Sequence, residues 1–284
     1  NAQATAIFGW SREEALGRAL AETIIPERDR QAHEHGLREF LRTGTGAILN
    51  RRIEIVAQHR KGWELPVELA VSPAKIGDAY IFSAFIRDIT DRRRAERRLV
   101  SQYAVTRILA EATTLEEAVP KIIQAIGESL EWDLGLFWRA DKATGVLRCF
   151  DQWKAPSVQA DPFTLDTWQR VLTRGEGLPG RIWSSGKSAW VADVTTDASF
   201  NRGALARQVG FHGAVGFPIV VGNEIEGVIE FFSRQVRQPD DELLRMVEDI
   251  GLKIGQFGER ARTEGVLRET EAQLRQAQKM EAVG

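Results

Sequence analysis

Along the first third of the chain the apolar positions change period. The string Ser11-Arg12-Glu13-Glu14-Ala15-Leu16-Gly17 predicts a short helix. Ser11 and Glu14 form a capping box, the hydroxyl taking an orphan amide of the first turn and the carboxylate reaching back. Gly17 then stops the helix. A second, amphipathic helix is predicted from about 27 to 42, with Ala32, Leu37, Phe40 and Leu41 on its buried side. Beyond the breaker Thr43-Gly44-Thr45-Gly46 the pattern becomes alternating. Ile53 and Ile55 share one face of a strand at 51–57. Leu65, Val67, Leu69 and Val71 point inward, and Glu64 and Glu68 outward, in a strand at 64–72. A third strand spans 80–86. Connections as short as Arg60-Lys61-Gly62-Trp63 and Gly77-Asp78 allow only antiparallel pairing. Asp88-Ile89-Thr90-Asp91 ends the sheet and caps an arginine-rich helix (Arg92, Arg93, Arg94, Arg97, Arg98) that carries Leu99, Tyr103 and Ile108. Without Pro or Gly it is a stiff spacer.

A second domain begins near Thr113. Thr114 and Glu117 precede a helical stripe of Val119, Ile122, Ile123 and Ile126. Segments 134–139 and 145–153 read as a hairpin. Gly177-Leu178-Pro179-Gly180 leads into a short helix that Ser185-Gly186-Lys187 ends, and 189–194 is a strand. Segments 215–221 and 225–232, joined by Gly222-Asn223, form a second hairpin. One antiparallel sheet is expected from these strands, with helices around Ile122 and Val247 on its back. From Asp240 a single helix is predicted to run to the end. Leu243, Val247, Ile250, Ile254, Phe257 and Ala261 alternate steps of four and three, a coiled-coil-like stripe. It resumes out of phase at Leu267 and Leu274, with Gly265 at the slip.

Composition changes this picture little. The 284 residues are 43% hydrophobic and 27% charged, ordinary for globular protein, and suffice for two domains. A net charge of −2 gives no general attraction to nucleic acid or to an anionic membrane. No apolar run reaches the length of a membrane span. The single cysteine, Cys149, forms no internal disulfide and fits a reducing cytoplasm. The start at Asn1 implies upstream residues, so a membrane anchor ahead of this segment stays open.

Several strings together carry a resemblance. The run from Asn1 to Gly17, then Ile25-Pro26, then Arg60-Lys61-Gly62-Trp63-Glu64-Leu65-Pro66-Val67-Glu68 and Arg87-Asp88-Ile89-Thr90-Asp91-Arg92 make residues 1–91 resemble a PAS domain that lacks its first two strands. The strand at 80–86 is then expected at a sheet edge. Gly177-Leu178-Pro179-Gly180-Arg181, Ser185-Gly186-Lys187, Asp193-Val194, Gly216-Phe217-Pro218-Ile219 and Gly227-Val228-Ile229-Glu230-Phe231-Phe232 make residues 113–262 resemble a GAF domain. Residues 92–112 would be a helical linker. Residues 263–284, ending Gln278-Lys279-Met280-Glu281-Ala282-Val283-Gly284, resemble a coiled-coil helix opening a histidine-kinase dimerisation domain, stopping before the phospho-accepting His. The fold class implied is α+β: two antiparallel sheets with flanking helices, joined and followed by long signalling helices.

The resemblance implies a sensory input and relay segment of a hybrid-type, two-component sensor histidine kinase. Its signal would pass into a phosphorelay, with homodimerisation through the helical linkers and a kinase core and response regulator as downstream partners. A diguanylate cyclase input and a ligand-free dimerisation scaffold are the rivals. The relay residues would be Asp88, Thr90, Leu99, Gly265, Leu267 and Leu274.

No catalytic or metal constellation is visible in the sequence. The histidines are His33, His35, His59 and His212. His33 falls where haem-binding PAS domains place their iron ligand, yet the oxygen-holding arginine of that family would fall near Arg52 or Ile53, with Ile53 the ungapped match, and a surface or packing histidine is the preferred reading. Cys149 could suggest an attached bilin, but it sits in a predicted strand and reads as a buried hydrophobe. A ligand pocket, if the GAF domain has one, should lie near Phe163, Trp168 and Phe200 on the face away from the helices. Trp183 is a further candidate, with core packing the preferred role for the tryptophans as a set.

Overall fold

The computed structural model describes residues 1–281, with the side chains of 274, 276, 277 and 279–281 outside the description. Two compact units, Asn1–Glu96 and Arg97–Gly284, divide the chain.

The first unit opens with helices α1 (Ala2–Phe8), α2 (Arg12–Ala15), α3 (Leu20–Thr23) and α4 (Glu27–Thr43), then strands β1 (Arg52–Gln58), β2 (Glu64–Ile76) and β3 (Ala79–Asp88), and the start of α5 (Thr90–Glu111). The capping box of α2 forms in full, Glu14 N donating to Ser11 Oγ at 3.2 Å and Ser11 N to Glu14 Oε2 at 3.0 Å. The strands pair antiparallel in the order β1-β2-β3. Among the described residues β3 pairs with β2 alone, so 80–86 is the expected sheet edge. The core is small: Phe8, Ala57, Leu65 and Val67, with Ile7, Trp10, Ile24 and Ile86 around it. The amphipathic expectation for α4 needs correction. Phe40 is buried against Tyr80 and Phe82, but Ala32, Leu37 and Leu41 are exposed, because the three-stranded sheet offers α4 little surface beyond that aromatic contact. Ile55 is likewise exposed.

The second unit comprises the rest of α5, then α6 (Leu115–Ser129), β4 (Leu134–Asp141), β5 (Val146–Lys154), α7 (Asp161–Gln169), β6 (Val171–Leu172), α8 (Gly177–Ser185), β7 (Ala189–Val191), α9 (Gly203–Val209), β8 (Gly213–Val221), β9 (Glu224–Ser233) and α10 (Asp241–Glu281). Its sheet is antiparallel in the order β6-β5-β4-β9-β8-β7. The two-residue strand β6 is an addition to the expected set.

Both faces of this sheet are covered. On the back, Val215, Phe217, Ile219, Ile229 and Phe231 pack against Ile122, Ile123 and Ile126 of α6 and against α10. The stripe Leu243, Val247, Ile250, Ile254 and Phe257 is buried here. Its partner is this sheet, as expected for the helix around Val247, so the coiled-coil-like spacing of this segment serves as a seat on the chain's own sheet. A period of four and three makes one apolar face and does not say what covers it. The seat is close. A Cβ added at Gly251 or Gly255 would penetrate the carbonyl oxygens of Pro218 and Val220, so helix and strand backbones touch only because both positions are glycine. From Arg262 onward the described side chains of α10 are exposed, and the phase slip at Gly265 lies just past the end of the seat. No helix among the described residues is long and apolar enough to cross a membrane.

Candidate functional site at the front of the six-stranded sheet

Strand β9 has two faces by alternation alone. Ile229 and Phe231 point to the back, while Val228, Glu230 and Phe232 point to the front, where α7, α8 and α9 lie. A carboxylate therefore enters an apolar interior at Glu230, which is 0% exposed. Its Oε1 accepts from Trp138 Nε1 of β4 at 2.8 Å and from Nη2 of Arg202, the residue before α9, at 2.5 Å. Arg202, 1% exposed, also donates through Nη1 to Thr167 Oγ1 of α7 at 3.0 Å. Thr167 Oγ1 in turn donates to the carbonyl of Phe163 at 2.8 Å.

Aromatic rings surround the guanidinium. Its centre lies 4.8 Å from the ring centre of Phe163, 5.3 Å from Phe200, and 5.4 Å from both Trp138 and Phe232. A cation against ring faces in a buried interior is held more strongly than at the surface. The second carboxylate oxygen, Glu230 Oε2, is buried and has no hydrogen-bond partner among the described residues. Cys149 borders the same interior. Burial first, and the negative charge of Glu230 second, push its thiol from 9.0 up to about 12, so it is protonated at neutral pH and inert as a nucleophile.

The structure sorts the candidates read from the sequence by place. Phe163 and Phe200 meet at Arg202. Trp183 is buried in the same core but stacks under a different cation, Arg174, at 4.3 Å. Trp168 lies outside, 45% exposed, with Nε1 donating to Gln152 Oε1 at 3.0 Å. Arg202, Glu230 and Thr167 were missed. The legible sign was a Glu inside the apolar run Gly227–Phe232 at a front-facing position; nothing local marked Arg202, 28 residues away.

The relay candidates take these positions. Asp88 Oδ1 accepts from Thr90 N at 2.8 Å and Thr90 Oγ1 at 2.6 Å, fixing the start of α5. Leu99 is 65% exposed on α5, Gly265 and Leu267 lie on the exposed part of α10, and Leu274 falls outside the described side chains. Near that exit Arg262 of α10 donates to Glu226 of β9 at 3.1 Å, and Lys142 of the β4–β5 turn reaches the same carboxylate at 2.8 Å. Burial alone would raise the Glu226 carboxyl, but these two cations hold it below the usual range.

His33 on α4 is half-buried with Nδ1 unpartnered among the described residues. The described residues hold no group of three or more His, Cys, Asp or Glu that could bind a metal.

Comparison with known proteins agrees with this architecture. The GAF domain family profile matches residues 112–257 and the PAS domain profile residues 1–91. Among curated proteins, an uncharacterized protein of Azorhizobium caulinodans is 43% identical over 35% of the chain, covering 14% of its own length. The sensor protein FixL of Bradyrhizobium diazoefficiens is 28% identical over 33% of the chain and 18% of its own length. The cell-division control histidine kinase PdhS of Brucella ovis is 31% identical over 36% of the chain and 10% of its own length. The chain thus spans less than a fifth of each. Among solved structures, the GAF domain of a phosphoenolpyruvate-protein phosphotransferase from Coxiella burnetii superimposes with a TM-score of 0.50 at 18% identity, over 61% of this chain and 98% of that one.

Proposed function

The chain belongs to the GAF domain family and carries a PAS domain ahead of its GAF domain, and on that premise we propose that it is a sensory input and signal-relay segment of a two-component sensor histidine kinase. A small ligand or partner that binds one conformation of the PAS or GAF lobe better would shift the population toward it. The coupling to output is bounded by the ligand's differential affinity for the two states. The kinship with a histidine kinase, PdhS, supports the output assigned here.

One observation carries the relay. Strand β8 forms the seat of α10 on the back face, and its hydrogen-bonded neighbour β9 presents Glu230 of the buried pair on the front. A rearrangement around Glu230 would reach the seat of α10 across the single β8–β9 pairing, in which Gly216 lies opposite Glu230. The exposed Leu99, Val100 and Tyr103 on α5, and Val266 and Leu267 on α10, are where a second copy would pack to make the homodimer. The kinase core and a response regulator would follow downstream, in the cytoplasm.

The test is autophosphorylation of the full-length kinase with one residue inserted next to Gly265. Rotating everything beyond the seat by one position should leave output locked or signal-insensitive. A normal signal response removes the relay reading. The packed front face favours a second reading, an inert dimerisation scaffold. Native mass spectrometry of the purified chain separates the two, because a retained small ligand is incompatible with the scaffold.

A further inference from the structure

The front-face interior is an aromatic box that already holds a cation, and that cation is supplied by the chain itself. We propose that the box is a recognition site for a small organic cation of the guanidinium class, with Arg202 as its resident, displaceable occupant. The inference rests on reading the front face as the sensory site, and it names the ligand that site would take.

Three features support it. First, the walls fit the charge. Phe163, Phe200, Phe232 and Trp138 place their rings 4.8–5.4 Å from the guanidinium centre, and Glu230 supplies the counter-charge. Second, the pairing is incomplete. A guanidinium can bind both oxygens of a carboxylate in a fork, but Arg202 reaches Oε1 only, and Oε1 is shared with Trp138. Oε2 is buried without a partner among the described residues, at the cost of a desolvated lone pair. A free guanidinium, not tethered to the backbone, could occupy both oxygens. Third, the segment that delivers Arg202 is fastened from outside. Arg181 donates to Ser199 Oγ at 2.5 Å, Ser199 N donates to Asp197 Oδ1 at 2.8 Å, and Arg207 donates to the Thr195 carbonyl at 2.7 Å. Ser199 and Asp197 are accessible to water, so these ties can exchange while the sheet stays intact.

Net charge sets the ligand class. Arg202 and Glu230 together are neutral. A cation that replaces Arg202 keeps the interior neutral, whereas an anion that enters beside Glu230 would leave like charges buried together.

The experiment uses the full 284-residue chain with methylguanidinium as probe and methylurea as its neutral, similarly shaped control. Arg202→Met keeps most of the aliphatic stem and removes the guanidinium. This variant should bind methylguanidinium saturably, read by calorimetry and by tryptophan fluorescence. Adding Glu230→Gln should weaken that binding by about tenfold or more, the scale of one charged hydrogen bond. The unmodified chain should bind the same probe more weakly than Arg202→Met, because Arg202 competes. If Arg202→Met does not fold, the titration of the unmodified chain decides alone. Equal binding of methylguanidinium and methylurea, or binding by the variant with none by the unmodified chain, overturns the proposal. Hydrogen exchange of α10 separates it from the reading beneath. If the box fills with methylguanidinium while protection of 241–261 stays unchanged, the ligand class stands and the sensory relay falls.

Discussion

The two lobes begin from the same kind of sequence and arrive at different states of burial. Both contain strands of alternating apolar and polar residues. In the GAF lobe the apolar side chains of β4, β8 and β9 are buried on both faces, because α6 and α10 cover the back and α7, α8 and α9 the front. In the PAS lobe Ala57 of β1 and the Leu65 and Val67 end of β2 form the strand part of the core, with Ile86 of β3 at its margin, while Ile81, Phe82 and Phe85 of β3 are exposed. Alternation makes a face; burial needs a second layer, and stabilisation scales with the area that layer removes from water. Substitutions in the GAF lobe should therefore be costly and those on the PAS edge nearly silent.

The largest effect is expected at Trp183, which is 5% exposed in the front core of the GAF lobe. Trp183→Ala should destabilise that lobe by about 3–5 kcal/mol, as large aromatic truncations in packed cores do. Chemical denaturation followed through the remaining tryptophans measures it. A small loss would mean that the front face is already open in solution, and the contrast between the lobes would collapse.

Cys149 reports on the same face without altering it. With its thiol raised from 9.0 to about 12, the thiolate fraction at neutral pH is about a thousandfold below that of a free thiol. Alkylation by iodoacetamide at pH 8 should be slower in the folded chain by at least that order, and should accelerate when the front face opens. The sign of the linkage is fixed. A raised folded value means that this contribution to stability is complete below about pH 9 and is lost as pH rises toward 12. Stability of the GAF lobe that rises across this interval would contradict the burial of Cys149.

Within α10 two glycines sharpen the comparison in miniature. Gly255→Ala puts a methyl into the Val220 carbonyl, and the helix must lift from its seat. A loss of about 1–3 kcal/mol is expected, the range of overpacked sites. Gly265→Ala meets open space and should add about 1 kcal/mol of helix stability. Thermal denaturation of both variants checks the pair; equal effects would mean that α10 does not leave the sheet between them.

How much of this was legible follows from the same distinction. The β8–β9 hairpin and the α6 stripe could be read because period and turn chemistry are local. So could the Asp88–Thr90 cap, whose partners lie two residues apart. The cover of each face could be read only in part: the helices around Ile122 and Val247 are expected on the back of the large sheet, while the packed front layer and the open side of α4 are not. The apolar stripe on α4 is the same string whether or not a layer covers it. The strand β6 is too short for any period. The Arg202–Glu230 pair joins elements that only the tertiary fold brings together. A lone glutamate in an apolar run was the sole trace of it in the sequence.

The smallest effect is expected at Phe85, 77% exposed on the edge strand of the PAS lobe. It lies opposite Ala70 in the β2–β3 ladder, so its ring has no large side chain directly across the strand pair. Phe85→Ser should change stability by no more than about 0.5 kcal/mol, because the native contacts removed are few. The consequence should appear instead in association. An unpaired edge with exposed Ile81, Phe82 and Phe85 is a template for strand addition and for apolar contact between chains. Phe85→Ser should reduce self-association in sedimentation velocity at high concentration while leaving the melting of the GAF lobe unchanged. A loss of several kcal/mol would show that Phe85 is covered in solution, and the PAS lobe would then carry a second layer after all.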